Sequence, residues 1–246
     1  MIYSDSVKKH WLDKIEEHKD NFNPDCGNRR SKWNPEMGAP QHVLTNTFES
    51  QDWSFFEKEF QLPRWILNIM IDYYHDFKPS ESYEIIKQLF TAIPTYTDLE
   101  PIRHKFSLRL LYRLQAECGL QYSRMWNQTL TDSPIRLGEV IGTAIVEHQL
   151  ALADPKYKVN MVKIKESLSR INMDIMVYMN DADGSGCQMI EHISDGSFYS
   201  LAEFYIKARD NVGKPLPNYD EDGAENNMDN IWNDLIDTLE EYKEVL

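Results

Sequence analysis

The amino-acid sequence predicts an all-α protein, a multi-helix bundle or helical-repeat-like array of about eight to ten helices with an irregular N-terminal arm. Three observations predict it. Apolar residues recur at steps of three and four in one segment after another. Prolines, hydroxyl and acidic residues, and glycines stand where such segments would start or stop. No stretch alternates apolar and polar residues in the way a half-buried strand requires.

Residues 5–20 read as a short amphipathic helix with Val7, Trp11 and Ile15 at steps of four. Between 21 and 51 the composition shifts to Asn, Pro, Gly, Arg and Ser, periodicity is lost, and a long loop or extended arm is expected. Pro63 opens the next helix, in which Ile66, Ile69, Met70, Tyr73 and Phe77 share a face before Pro79 stops it. Ser80 caps a helix carrying Tyr83, Ile86, Leu89 and Phe90, ended near Pro94. Thr97 and Glu100 have capping-box spacing for a helix to about Glu117, with Gly119 as the stop. Residues 120–131 are ambiguous. Ser133 and Pro134 start a helix aligning Leu137, Ile141, Ala144, Ile145, His148 and Leu152.

The most regular stripe lies between Asp154 and Asn180, where Met161, Ile164, Leu168, Ile171, Ile175 and Tyr178 recur. Asp154 is placed to cap this helix and Pro155 to occupy its first turn. Burying six such side chains is worth on the order of 10 kcal/mol before chain entropy is subtracted. A glycine-containing loop follows, then a helix from about Ser197 through Leu201, Phe204 and Ile206. Residues 211–224 read as a linker to an acidic C-terminal helix over 225–245. That helix carries Met228, Trp232, Leu235, Leu239, Tyr242 and Leu246 as a second heptad-like stripe. The whole chain, 1–246, is expected to be one helical domain.

The run Leu62-Pro63-x-Trp65, followed by Ala92-Ile93-Pro94 and Asp98-Leu99-x-Pro101-Ile102-x-His104-x-Phe106, resembles a loosely defined family of uncharacterised helical bacterial and phage proteins. The likeness covers roughly residues 60–115; the chain departs from the pattern after residue 130, where alanine is not dominant, and adds an N-terminal arm. It implies a helical fold and a bacterial or phage setting, and carries no catalytic residues.

Composition excludes several function classes. No run of eighteen apolar residues exists, so no membrane span is expected. The N-terminal MIYSDSVKKHWLDK has no apolar core of a signal peptide, which points to the cytoplasm. Cys26, Cys118 and Cys187 are odd in number and far apart, which suits a reducing compartment and neither a disulfide scaffold nor a zinc knuckle. The net charge is −14, and from Asn218 to Leu246 ten acids face Lys243 alone, a net −9. A surface of that sign repels a phosphate backbone, so direct nucleic-acid binding is not expected. Arg29, Arg30, Lys32 and Trp33 form a small basic-aromatic cluster, read as part of a solvated loop.

Motifs for chemistry are fragmentary. His42, the adjacent pair His75-Asp76, and Asp154 stand in the order of HD-type phosphohydrolases, whose His and Asp residues bind a divalent metal that activates water. Helix-end placement of His75 and capping by Asp154 explain the same residues without a metal. Asp181-x-Asp183-x-Ser185-Gly186 resembles half of a calcium loop, but its twelfth position is His192 and not a bidentate carboxylate. His148 lies on an apolar stripe and reads as a core histidine; no Glu-x-x-His pair, GxGxxG, Walker A or GxSxG motif occurs.

The sequence therefore leads to a non-enzymatic acidic protein, without cofactor, that inhibits or neutralises a basic protein or nucleoprotein complex. A toxin immunity protein or a phage-encoded inhibitor of a host defence nuclease fits that description. The expected docking residues are Asp220, Glu221, Asp222, Glu225, Asp229, Asp234, Asp237 and Glu241. The alternative is a metal-dependent nucleotide phosphohydrolase built on His42, His75, Asp76 and Asp154.

Overall fold

The computed structural model describes residues 3–17, 19, 57–58, 60–76, 82–126, 133–178, 185–198 and 221–243. For helical residues 71–76, 82, 117–126, 133–137, 170–178, 185–188 and 221–229 it describes the backbone path alone. Eight α-helices and no strand occupy the described residues, so the all-α expectation holds. They are α1 (Asp5–Glu17), α2 (Arg64–Asp76), α3 (Ser82–Ala92), α4 (Glu100–Trp126), α5 (Ser133–Ala153), α6 (Met161–Tyr178), α7 (Ser185–Asp195) and α8 (Glu221–Glu241). The chain divides into two compact units. One comprises Met1–Leu99 with Leu235–Leu246, the other Glu100–Asp234, and the division falls inside α8.

In the first unit Ser4 Oγ accepts the Val7 N–H and caps α1. Trp11 of α1 lies 4.2 Å, ring to ring, from Phe60, and Phe60 5.9 Å from Phe90 of α3. These rings, with Ile15, Leu62, Ile66 and Leu89, are buried and form the apolar centre. Lys8 donates from Nζ to the Thr91 and Ile93 carbonyls, each at 2.8 Å, and so satisfies the open end of α3. Burial, and secondarily Lys243, bring the Lys8 ammonium down to about 8.

In the second unit α4 and α5 make the principal pair, α6 lies on α5, and α7 touches α4, α5 and α6. Ile102, Phe106, Leu110, Ile141, Ala144 and Ile164 are buried there, and Phe106 lies 5.1 Å from the Phe198 ring.

Several boundaries differ from expectation. The helix of the most regular stripe starts at Met161, not at Asp154. The Asp154 N–H donates back to Leu150 and its carboxylate accepts the Lys156 N–H, so this residue finishes α5. The cap of α6 is Asn160, whose Oδ1 accepts the Lys163 N–H at 3.2 Å. Gly119 does not stop α4, which runs two further turns to Trp126; one internal glycine costs only about 1 kcal/mol. The same helix opens at Glu100 itself, while the Thr97 hydroxyl donates to the Thr95 carbonyl. Residues 185–195, expected as loop, form α7, because Met189, Ile190 and Ile193 bury one face. Ser197 and Phe198, expected to open a helix, are not helical. The acidic helix begins at Glu221, four residues early, taking in the end of the expected linker. The 21–51 arm, linker residues 211–220, and Asp181 to Gly184 of the calcium-like loop lie outside the described residues.

Gly196 ends α7 in the left-handed region, φ +72°, which glycine adopts without strain. Arg103 lies over it: its guanidinium pairs with Glu100 and donates to the Asp195 carbonyl, and a Cβ on residue 196 would meet the Arg103 Cδ at 2.8 Å. Gly196→Ala combines a strained backbone with a displaced Arg103 and should lower stability by about 2 kcal/mol. Urea denaturation of the full chain measures it, and an unchanged midpoint would contradict this account of the α7 end.

Candidate functional site

The acidic helix is anchored through one side. Ile231, Trp232, Leu235, Ile236 and Leu239 are buried, following the 3–4 spacing of the sequence. Asn230, Asn233, Asp237, Glu240 and Glu241 are exposed on the other side. Burial of five large side chains fixes where the backbone runs, and the exposed carboxylates are carried at set intervals along it.

The eight expected docking residues separate accordingly. Asp237 and Glu241 lie at the surface. Glu221, Asp222, Glu225 and Asp229 are in α8, their side chains undescribed, and Asp220 lies outside the described residues. Asp234 has a different task. Its Oδ2 accepts from Arg113 Nε at 2.9 Å and Nη2 at 2.5 Å, and its main-chain carbonyl accepts from Arg109 at 3.3 Å. Its side chain is 18 % exposed. An acid paired this closely with an arginine inside its own unit is an internal anchor.

Of the four hydrolase residues the structure describes the side chain of Asp154 alone. Its carboxylate accepts the Lys156 N–H at 2.9 Å, the contact of a turn. His75 and Asp76 end α2 in the first unit, their side chains undescribed, and His42 lies outside the described residues. Among the described residues no three His, Cys, Asp or Glu side chains are grouped to hold a metal ion.

Two buried polar groups in the second unit were not paired by sequence reasoning. His148 is buried in the core, as expected, and its Nδ1 lies 3.0 Å from Nδ1 of His104 on α4. Two facing Nδ1 atoms need one donor and one acceptor, so the neutral rings hold opposite tautomers. His148 Nε2 has no hydrogen-bond partner of ordinary geometry, although the Ser194 backbone stands where it favours a charged ring. Burial, foremost, pulls both rings below the usual histidine range. Arg103 adds to this for His104, and His104 and Arg103 for His148; Glu100 and Glu147 oppose. With 6 % and 0 % exposure, the pair is a strut between α4 and α5, out of reach of a substrate as a general base.

Glu147, next to His148, has its carboxylate 2 % exposed. It accepts from Tyr157 Oη at 2.5 Å, Asn160 N at 3.0 Å and Lys163 Nζ at 2.9 Å. Burial pushes its carboxyl up, but these three donors outweigh it and leave the group below the ordinary carboxylate range. All three lie within sixteen residues of it, yet no motif announces them.

Fold and composition define an acidic protein that is helical over its described residues. Models of known protein families, curated proteins and solved structures offer no match to the chain.

The histidine pair has a consequence for stability. In the unfolded chain each ring takes up a proton near pH 6.5, whereas in the folded chain it does so only at lower pH. The stability is therefore complete above about pH 6.5 and is lost as pH falls below it. Between pH 7.5 and 5.0 the wild type should lose about 2 kcal/mol more than His148→Leu, read from urea midpoints at each pH. Equal losses in both proteins would assign the acid sensitivity elsewhere.

Proposed function

We propose that the chain is a non-enzymatic binding protein that neutralises a basic protein or nucleoprotein complex through the acidic face of α8. The observation that carries this reading is the combination of Asp237, Glu240 and Glu241 at the surface with Ile231, Trp232, Leu235, Ile236 and Leu239 buried beneath. The helix lies in a segment, 218–246, with ten acids against Lys243. A helix fixed by its own core leaves less chain entropy to lose on docking, and its carboxylates occupy cationic sites that otherwise hold phosphates. Long-range attraction between opposite charges also speeds encounter at low salt.

The partner chemistry is that of a nuclease or other nucleic-acid-binding protein, and the setting is the cytoplasm, in keeping with three scattered cysteines. A toxin immunity protein and a phage-encoded inhibitor of a host defence nuclease both answer to this description. Asp234, held by Arg113, drops out of the docking set.

The test is binding to the partner captured from the native host, measured against salt concentration. The triple variant Asp237→Lys, Glu240→Lys, Glu241→Lys should bind at least about tenfold more weakly and with a flatter salt dependence. Asp234→Asn should bind as wild type does. A triple variant with unaltered affinity would remove α8 from the interface.

A further inference from the structure

The outward face of α5 groups exposed apolar side chains. Val146 and Leu150 stand 47 % and 43 % exposed at helical spacing, and Gly142 precedes them by one turn. A Cβ added at Gly138 or Gly142 would meet nothing within 4 Å, so the backbone there is open to close approach. Two polar side chains of this face bond within the chain at its surface. Thr143 donates its hydroxyl to the Glu139 carbonyl at 2.9 Å, and the Gln149 amide donates to Tyr112 Oη at 2.8 Å. Tyr112, on α4, is itself 46 % exposed beside the stripe. From 138 to 153 the accessible positions carry one charge, Glu139, in a chain of which 27 % is charged.

We propose that this face is a self-association surface, on which a second copy of the chain lays its own α5 antiparallel. The register follows from the residues. Centred on Val146, an antiparallel pair sets Leu150 of each copy over Gly142 of the other, so that an apolar knob enters the gap left by the missing side chain. It also brings Glu139, at the amino end, beside the turn that follows the other copy's α5. There Lys156 and Lys158 are exposed, and the Asp154 carboxylate is engaged by the Lys156 amide. The ends are therefore complementary in charge, and the antiparallel helix dipoles are favourable as well. A like-charged chain of net −14 can approach itself only where its surface is neutral or paired in this way. This surface lies in the second unit and is independent of the acidic face of α8.

One helix pair falls at the small end of specific interfaces, so the dimer should form with a Kd on the order of 10 µM. Sedimentation equilibrium of the full chain from about 1 to 200 µM should show mass rising from 29.0 kDa toward twice that value. Gly142→Leu and Leu150→Glu, each with a wild-type thermal unfolding curve, should weaken association at least about tenfold. Glu139→Lys alone and Lys156→Glu with Lys158→Glu should each weaken it, and the three changes together should restore it. A wild type that stays monomeric at the highest concentration overturns the proposal and leaves the face to another partner. So does unaltered association of the Gly142 and Leu150 variants. Failure of the three-way exchange to restore the dimer excludes the antiparallel register.

Discussion

A carboxylate removed from water is tolerable only where enough donors converge on it, and Glu147 is the group on which the second unit turns. Tyr157, Asn160 and Lys163 close around it. In doing so they hold residues 157–160 against α5 and set the first turn of α6 at Met161. One residue further along, His148 reaches His104 across the α4–α5 contact. Adjacent residues of one helix thus bind it to its two neighbours, one through an ion and one through a neutral pair. Removing the Glu147 carboxylate would leave the Asn160 N–H and the Tyr157 hydroxyl to find other acceptors.

What the sequence disclosed and what it hid follow from the range of the interactions. Pro63, Pro79, Pro94 and Pro134 act on their own neighbours, and α2, α3 and α5 lie where those residues put them. The apolar stripe of α8 was likewise legible, because periodic burial shows in a single helix. Asp154 misled: an aspartate before a proline caps a helix or closes a turn equally well, and the choice was made by Glu147, thirteen residues before Asn160. Gly119 misled because one internal glycine costs a helix only about 1 kcal/mol.

The candidate site was legible as a charge pattern and not as a set of contacts. Counting acids places Asp234 with Asp237 and Glu241, while Arg113, 121 residues away in the chain, takes it inward. His148 was readable as a core residue from its helical position. Its partner, 44 residues earlier, belongs to another stripe, and a lone sequence carries no trace of the pairing. Charge in this protein has two destinations: Glu147, Asp234 and Lys8 are used to join segments, and Asp237, Glu240 and Glu241 are exposed on α8.

The first unit is assembled from two stretches that are distant in the chain, Met1–Leu99 and Leu235–Leu246, and the second lies between them. During synthesis on the ribosome residues 100–234 are therefore all available while the first unit still lacks Leu235, Ile236 and Leu239, which are buried in the finished protein. Phe60, Leu62 and their neighbours wait through the synthesis of residues 100–234 before that unit can close. Nascent-chain chaperones would meet the amino-terminal stretch over that interval, and Leu235–Leu246 completes it.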